Sequence, residues 1–170
     1  MKSISSNTPL LSIVGKSKSG KTTLLEKLIP ELKRRNFRVA TIKHHSRPGF
    51  EIDQPGKDTW RYAQAGSNVV ILAAPDKIAS IQKLDRELSL DEISSRVLDM
   101  DIILTEGYKS AGKPSIEVVR AERSMDLICD PEQLLAVATD TPLEIDKPQF
   151  DINNVEKIVD FIEWWIRSQA

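Results

Sequence analysis

Cysteine is almost missing: Cys129 stands alone in 170 residues, which excludes an intramolecular disulfide and a multi-cysteine zinc cluster. It fits a reducing compartment, so the cytoplasm is the expected location. No histidine motif accompanies this thiol, and its expected role is structural. An excess of one charge is missing too. The 24 Lys and Arg nearly cancel the 25 Asp and Glu, leaving a formal net charge of −1. No global field therefore draws the chain onto nucleic acid or an anionic membrane, and any affinity for phosphate has to be local. Long apolar runs are absent as well. The opening MKSISSNTP has no apolar stretch of the signal-peptide kind, and Val69 to Ala74 falls far short of the ~20 residues of a membrane helix. No repeat or low-complexity tract interrupts the chain. The length suits a single domain over residues 1–170, with a flexible N-terminus over residues 1–8.

Against these absences stands one complete motif. Gly15 to Thr22 read GKSKSGKT, a Walker A phosphate loop between an apolar run (Leu10, Leu11, Ile13, Val14) and an amphipathic helical pattern. Two glycines let the backbone curl so that N–H groups of Lys16, Ser17, Lys18, Ser19 and Gly20 face phosphate oxygens. Lys21 supplies a mobile charge, Thr22 a hydroxyl for Mg²⁺, and the helix that begins around Thr22 and Thr23 presents its positive end to the same anion. Lys16 invites comparison with dimeric ATPases whose lysine at this place reaches a partner's nucleotide. Those loops surround it with further glycines, whereas Ser17 and Lys18 follow here, so a solvated charge is expected.

Apolar runs rich in β-branched residues alternate with helical patterns. The pattern predicts an α/β fold of the P-loop NTPase type, three layers with a mainly parallel sheet and helices on both faces. A first helix is expected from Thr22 to Arg35, kinked at Pro30. A buried strand Val39 to Ile42 should neighbour the phosphate loop and end in Lys43, His44 and His45. A short helix Lys57 to Ala65 and strands Val69 to Ala73 and Ile78 to Ile81 follow. Ser89-Leu90-Asp91-Glu92 is a capping box opening a helix to about Leu98. Further strands are expected at Asp101 to Thr105, Ile116 to Val119 and Leu134 to Ala138, the last central to the sheet. Asn153 or Asn154 caps a final helix carrying Val155, Ile158, Val159, Ile162 and Ile166.

A phosphate loop alone holds Mg²⁺ incompletely, and the second ligand is expected at the C-terminal end of another apolar strand. Glu106, after Ile102-Ile103-Leu104-Thr105, fits, so Thr22 and Glu106 form the expected metal pair, directly or through water. Lys21 and Glu106 are the residues that would act on a phosphate. Asp99 and Asp101 lie at the other end of that strand, as caps or solvated charges. Adjacent residues on an extended chain point opposite ways, so at most one of His44 and His45 would face a ligand; the alternative is an ordinary polar loop. Asp53, Gly56, Lys57, Asp58 and Arg61 read either as a nucleotide-responsive loop or as a plain helix entry. Asp140, after the apolar strand ending near Ala138, would contact a nucleotide or close a turn.

The order GKSKSGKTTLLEKLIPEL, VATIKHH, DQPGKDTWRYAQAG, ILTEGYK and IEVVR resembles the molybdopterin-guanine dinucleotide biosynthesis adaptor family, MobB, over about Leu11 to Arg120. The resemblance implies a GTP-binding P-loop protein of the simibi branch, usually a homodimer and at most a weak GTPase. It implies assistance to a separate guanylyltransferase that joins GMP to a molybdopterin-type cofactor, with molybdoenzyme chaperones as further partners. By the same resemblance, Gly15 to Thr23 would hold the phosphates of GTP with Mg²⁺ beside Glu106. Lys43, His44, His45, Asp53, Lys57, Asp58 and Arg61 would line the nucleotide or pterin cleft. No NKxD motif follows a strand, and Ser46 and Arg47 stand where some relatives carry further histidines. A small-molecule kinase is the alternative, with Arg120 and Arg123 as anchors but no evident lid. A nickel-type metallochaperone GTPase would require thiol and imidazole ligands together.

Overall fold

The computed structural model describes residues 8–169. The flexible segment expected over residues 1–8 therefore lies outside the described residues except for Thr8, whose hydroxyl donates to the Met100 carbonyl. In chain order the elements are β1 (Leu10–Val14), α1 (Lys21–Arg34), β2 (Val39–Lys43), α2 (Asp58–Gln64), β3 (Val69–Ala73), β4 (Ile78–Gln82), α3 (Leu90–Ser94), β5 (Ile102–Glu106), β6 (Ser115–Val119), β7 (Leu134–Thr139), β8 (Gln149–Asp151) and α4 (Val155–Ser168). The chain divides into two compact units, one running up to His44 and resuming at Ser89, the other His45–Leu88.

The first unit is built on a six-stranded sheet of order β2-β5-β1-β6-β7-β8 in which every pairing is parallel. Strands buried on both faces are mostly apolar, which is why β1, β5, β6 and β7 are dominated by hydrophobic residues. The polar exceptions are paired: the Thr105 hydroxyl donates to Ser12 Oγ at 2.9 Å inside the sheet. On one face Leu24, Leu28 and Leu32 of α1 and Ile158, Ile162 and Trp165 of α4 pack onto Leu11, Ile13, Ile102 and Leu104. On the other, Val14, Val119 and Val137 are covered by Leu127, Cys129, Leu143 and Ile145. Burial pushes the Cys129 thiol above its ordinary pKa, as suits a structural residue.

Several expectations require correction. β2 is an edge strand, half exposed rather than buried, and β5 separates it from β1. It does not neighbour the strand that feeds the phosphate loop, because the later strand β5, buried from Ile102 to Thr105, takes the inner position. α3 ends at Ser94 instead of Leu98, although its capping box forms as expected, with Ser89 Oγ accepting from the Glu92 N–H and the Glu92 carboxylate from the Ser89 N–H. As expected, α1 continues past Pro30, reaching Arg34, the proline's missing donor removing one bond without ending the helix. β8, only three residues long, is a strand that the sequence pattern does not predict. Asn154 is the cap of α4, its side chain accepting from the Lys157 N–H.

In the second unit, α2 precedes an antiparallel hairpin of β3 and β4, paired from Val69 with Gln82 to Ala73 with Ile78. The Lys83 ammonium donates to the Ala63 carbonyl at 2.9 Å, tying the hairpin to the end of α2. Ile71, Leu72 and Ile78 are exposed on it.

Candidate functional site

All six parallel strands deliver their C-terminal ends to one edge of the sheet, where ligands of such folds bind. The loop from Gly15 to Gly20 begins at that edge, between Val14 of β1 and Lys21 of α1. Three positive φ angles, at Gly15 (142°), Lys18 (63°) and Gly20 (98°), turn its peptides. Gly15 has to be glycine for a further reason: a Cβ there would lie 2.5 Å from the Val118 carbonyl oxygen. The Ser19 hydroxyl is buried inside the loop with no hydrogen-bond partner among the described residues. Lys21 folds back over the loop, its ammonium donating to the carbonyls of Gly15 at 3.0 Å and Lys16 at 2.8 Å. Burial lowers the pKa of Lys21, the Glu106 carboxylate opposes that shift, and the neighbouring Lys43 adds to it.

A cavity of about 320 Å³ opens over this loop, lined by Ser17, Lys18, Gly20, Lys21, Thr22, Thr23 and Glu106. A broader depression of about 480 Å³ at the start of α4 is lined by Asp151, Asn153, Asn154, Val155 and Glu156, a wall without a cation to receive an anion. Glu106 ends β5, beside β1, and reaches α1. The Thr22 hydroxyl donates to its two oxygens at 3.0 and 3.1 Å, and the Lys43 ammonium lies 3.2 Å from both. The structure thus brings Lys21 and Thr22 of α1, Lys43 of β2 and Glu106 of β5 together, from three elements. Hydroxyl and carboxylate oxygens side by side are the donor set a hard divalent cation takes, with waters completing its shell.

Other expected site residues are engaged elsewhere. Lys16 is a partly exposed charge that forms a surface ion pair: its ammonium pairs with Asp126 at 3.0 Å and with the Ser124 hydroxyl, since the segment after β6 passes beside the loop. Ser124 and then Lys16 hold the Asp126 carboxyl below its usual pKa. The Asp140 carboxylate accepts from the Ala121 N–H at 3.0 Å, tying the ends of β6 and β7 together. His44 stacks on Tyr108, ring centroids 4.6 Å apart, and its N–H donates to the Glu106 carbonyl. At the far end of β5, Asp101 accepts from the Arg38 N–H at 2.6 Å and pairs with its guanidinium, a cap as expected.

The remaining residues expected to line a cleft belong to the second unit. His45 Nδ1 lies 2.7 Å from the Arg47 carbonyl and its ring 5.9 Å from that of Phe50. Asp53 accepts from the Gln54 N–H through one oxygen, while the other is buried with no partner among the described residues. Lys57 is the N-cap residue of α2, and Asp58 and Arg61 stand one turn apart on it, 3.8 Å between charges.

Two residues at the sheet edge were not given these roles in advance. Glu117 is 1% exposed, and its carboxylate accepts from the N–H groups of Ile128 and Cys129 at 2.9 Å. A lone acid inside the apolar run Ile116 to Val119 is the signal for such a buried acceptor. Arg120, read only as a kinase anchor, donates through Nε to the Ser19 carbonyl at 3.2 Å.

Residues 10–140 match the family model for molybdopterin guanine dinucleotide synthesis protein B. The chain belongs to the MobB family. It is 47% identical to the molybdopterin-guanine dinucleotide biosynthesis adapter protein of Haemophilus influenzae, over 93% of this chain and 89% of that protein. The adapter protein of Escherichia coli is 37% identical, over 95% of each. Among solved structures, a crystal structure of molybdopterin-guanine biosynthesis protein B superposes with a TM-score of 0.72 at 35% identity, covering 92% of this chain and 99% of that one. Bacillus subtilis MobB gives the same TM-score at 23% identity, over 89% and 96%, a likeness of fold alone. MobB membership therefore agrees with the parallel sheet and with the order of motifs along the chain.

Proposed function

We propose that this MobB chain is an adapter in the biosynthesis of molybdopterin guanine dinucleotide, and that it does so as a nucleotide-binding protein using the loop from Gly15 to Thr23. The observation that carries the reading is the Walker loop itself, set between a parallel strand and a helix, with Lys21 and Thr22 facing Glu106 beside an open cavity. The orphaned Ser19 hydroxyl and the positive-φ turns are what a phosphate cradle would use.

The nucleotide of this reading is GTP. Its phosphates would draw Lys21 off the carbonyls of Gly15 and Lys16, replacing two neutral acceptors by charged ones. Mg²⁺ would be held by Thr22 and Glu106 and would neutralise charge on the phosphates. Lys43, freed from part of its pairing with Glu106, would then turn to the nucleotide. An adapter role implies a partner in the pathway; here that partner is the guanylyltransferase, which carries out the transfer itself. The reading includes a homodimer, a molybdopterin-type cofactor as ligand of the region around His44, His45, Asp53, Lys57, Asp58 and Arg61, and a cytoplasmic location. No helix among the described residues is long and apolar enough to cross a membrane.

Equilibrium binding of GTP and ATP with and without Mg²⁺ tests the nucleotide step, and guanylyltransferase turnover with and without the chain tests the adapter step. Expected are Mg²⁺-dependent retention of GTP, a loss in Lys21→Ala on the order of 1.5–3 kcal/mol for a charge-assisted contact, and faster dinucleotide formation in the presence of the chain. Failure to retain either purine nucleotide at millimolar concentration overturns the site, and phosphate transfer to a small acceptor without a partner overturns the adapter.

A further inference from the structure

Arg120 leaves the end of β6 with its backbone pinned on both sides. Its carbonyl accepts from the N–H groups of Arg123 at 2.9 Å and Ser124 at 3.0 Å, and the next N–H, that of Ala121, is held by Asp140. From this fixed base the side chain crosses to the phosphate loop. The guanidinium lies over Gly20: a Cβ on that residue would be 3.1 Å from Nε and 3.4 Å from Nη2, so the approach depends on glycine there. Nε donates to the Ser19 carbonyl.

That single bond sets the direction of the peptide group between Ser19 and Gly20. No cis peptide occurs among the described residues, and in a planar trans peptide the N–H points opposite to the C=O. A Ser19 carbonyl drawn toward Arg120 turns the Gly20 N–H the other way. Gly20 has glycine's freedom at φ 98°, so without a partner for that carbonyl the peptide is free to rotate and present oxygen, which repels phosphate, where N–H is needed. The buried, unpartnered Ser19 hydroxyl belongs to the same peptide's residue and is an independent sign that this corner of the loop is built for a ligand.

We infer that Arg120 is a positioning residue for phosphate binding, which holds the Ser19–Gly20 peptide with its N–H group directed at the anion. This rests on the phosphate-site reading above. It differs from a direct ion pair with phosphate: the donor at Nε matters, and the charge is secondary.

The test compares wild type, Arg120→Met and Arg120→Gln. Binding of inorganic triphosphate with Mg²⁺ is measured by calorimetry, the Gly20 amide is followed by ¹H–¹⁵N NMR without ligand, and melting is recorded. Glutamine keeps an N–H donor without charge. Arg120→Met is expected to bind triphosphate up to about tenfold more weakly, the scale of one lost hydrogen bond, with the Gly20 amide resonance displaced and melting little changed. Arg120→Gln is expected to regain most of the affinity and of the resonance position. Equal weakness of the two variants, or a Gly20 amide unmoved in Arg120→Met, overturns the inference. Should Arg120→Met not fold, Arg120→Gln decides: near wild-type affinity with Gly20 in place supports the role, and lost affinity with Gly20 in place overturns it. Wild-type protein that binds no triphosphate overturns the phosphate-site reading itself, whereas binding unaffected by either variant overturns the role of Arg120 alone.

Discussion

Thr22 and Glu106, separated by 84 positions in the sequence, meet through a hydroxyl that donates to both carboxylate oxygens at 3.0 and 3.1 Å. Parallel pairing of β1 with β5, Ile13 beside Glu106, is what closes that distance. The same acid sits 3.2 Å from the Lys43 ammonium, so its charge is already balanced before any ligand arrives. Glu106→Gln should therefore reduce Mg²⁺-dependent nucleotide binding while leaving Mg²⁺-free binding equal or stronger, because a negative charge facing the phosphates is gone. Titrations with and without EDTA check this, and equal loss in both would remove Glu106 from the metal shell.

Gly15 should tolerate no side chain. In Gly15→Ala the added carbon meets the Val118 backbone oxygen at 2.5 Å, and φ of 142° is strained for any L-residue. The Ser19 hydroxyl, 2.9 Å away, is a side chain, but the Val118 carbonyl belongs to the backbone of a central strand and cannot move aside. Gly112→Ala is the control, with φ of 63° but open space around it. A destabilisation of about 1–2 kcal/mol is expected at residue 112 from the left-handed backbone. Gly15→Ala should cost more than that and abolish nucleotide binding, as read by chemical denaturation and by calorimetry.

How much of this was readable beforehand follows from the range over which each feature is decided. The capping box of Ser89 and Glu92 and the phosphate loop are local: a few consecutive residues contain their whole physics, and both form where the sequence put them. The place of β2 is not local. Val39 to Lys43 pairs with β5, a strand found some 60 residues further on, and nothing inside VATIK announces that a more apolar strand will take the seat next to β1. β8 has three residues, too few for a period to show. Arg120 closes the segment IEVVR, but nothing in that segment shows that its guanidinium meets a carbonyl of a loop 101 positions away.

Glu117 illustrates a residue whose role depends on burial. Its carboxylate holds the N–H groups of Ile128 and Cys129, fastening the returning segment onto β6. Glu117→Ala strands those buried donors, at about 1–3 kcal/mol for each group left unpaired. Urea denaturation should show a loss in that range or above it. A stability equal to wild type would mean that the segment finds other acceptors.

The helices α1 and α4 are joined by charges as well as by leucines, and those charges give stability a defined pH dependence. Arg35 reaches Asp160 at 2.6 Å and Glu163 at 3.1 Å, and Glu31 binds both Arg34 at 2.7 Å and Arg35 at 2.8 Å. Hydrogen bonds from Arg34 and then Arg35 lower the Glu31 pKa to about 2, against 4.5 for an ordinary glutamate. The folded protein thus binds this proton less readily than the unfolded chain. The stabilisation is complete above the unfolded value and is lost as pH falls from about 4.5 toward about 2, the interval between the two pKa values. Glu31→Gln should lower the melting temperature at neutral pH, and the gap to wild type should shrink through that same acidic interval. Because Arg34 and Asp160 of this network are exposed, added salt should shrink the neutral-pH gap too. Melting curves from pH 7 downward, at low and high ionic strength, measure both effects, and a gap that persists unchanged at the acid end would show that Glu31 acts through packing instead of charge.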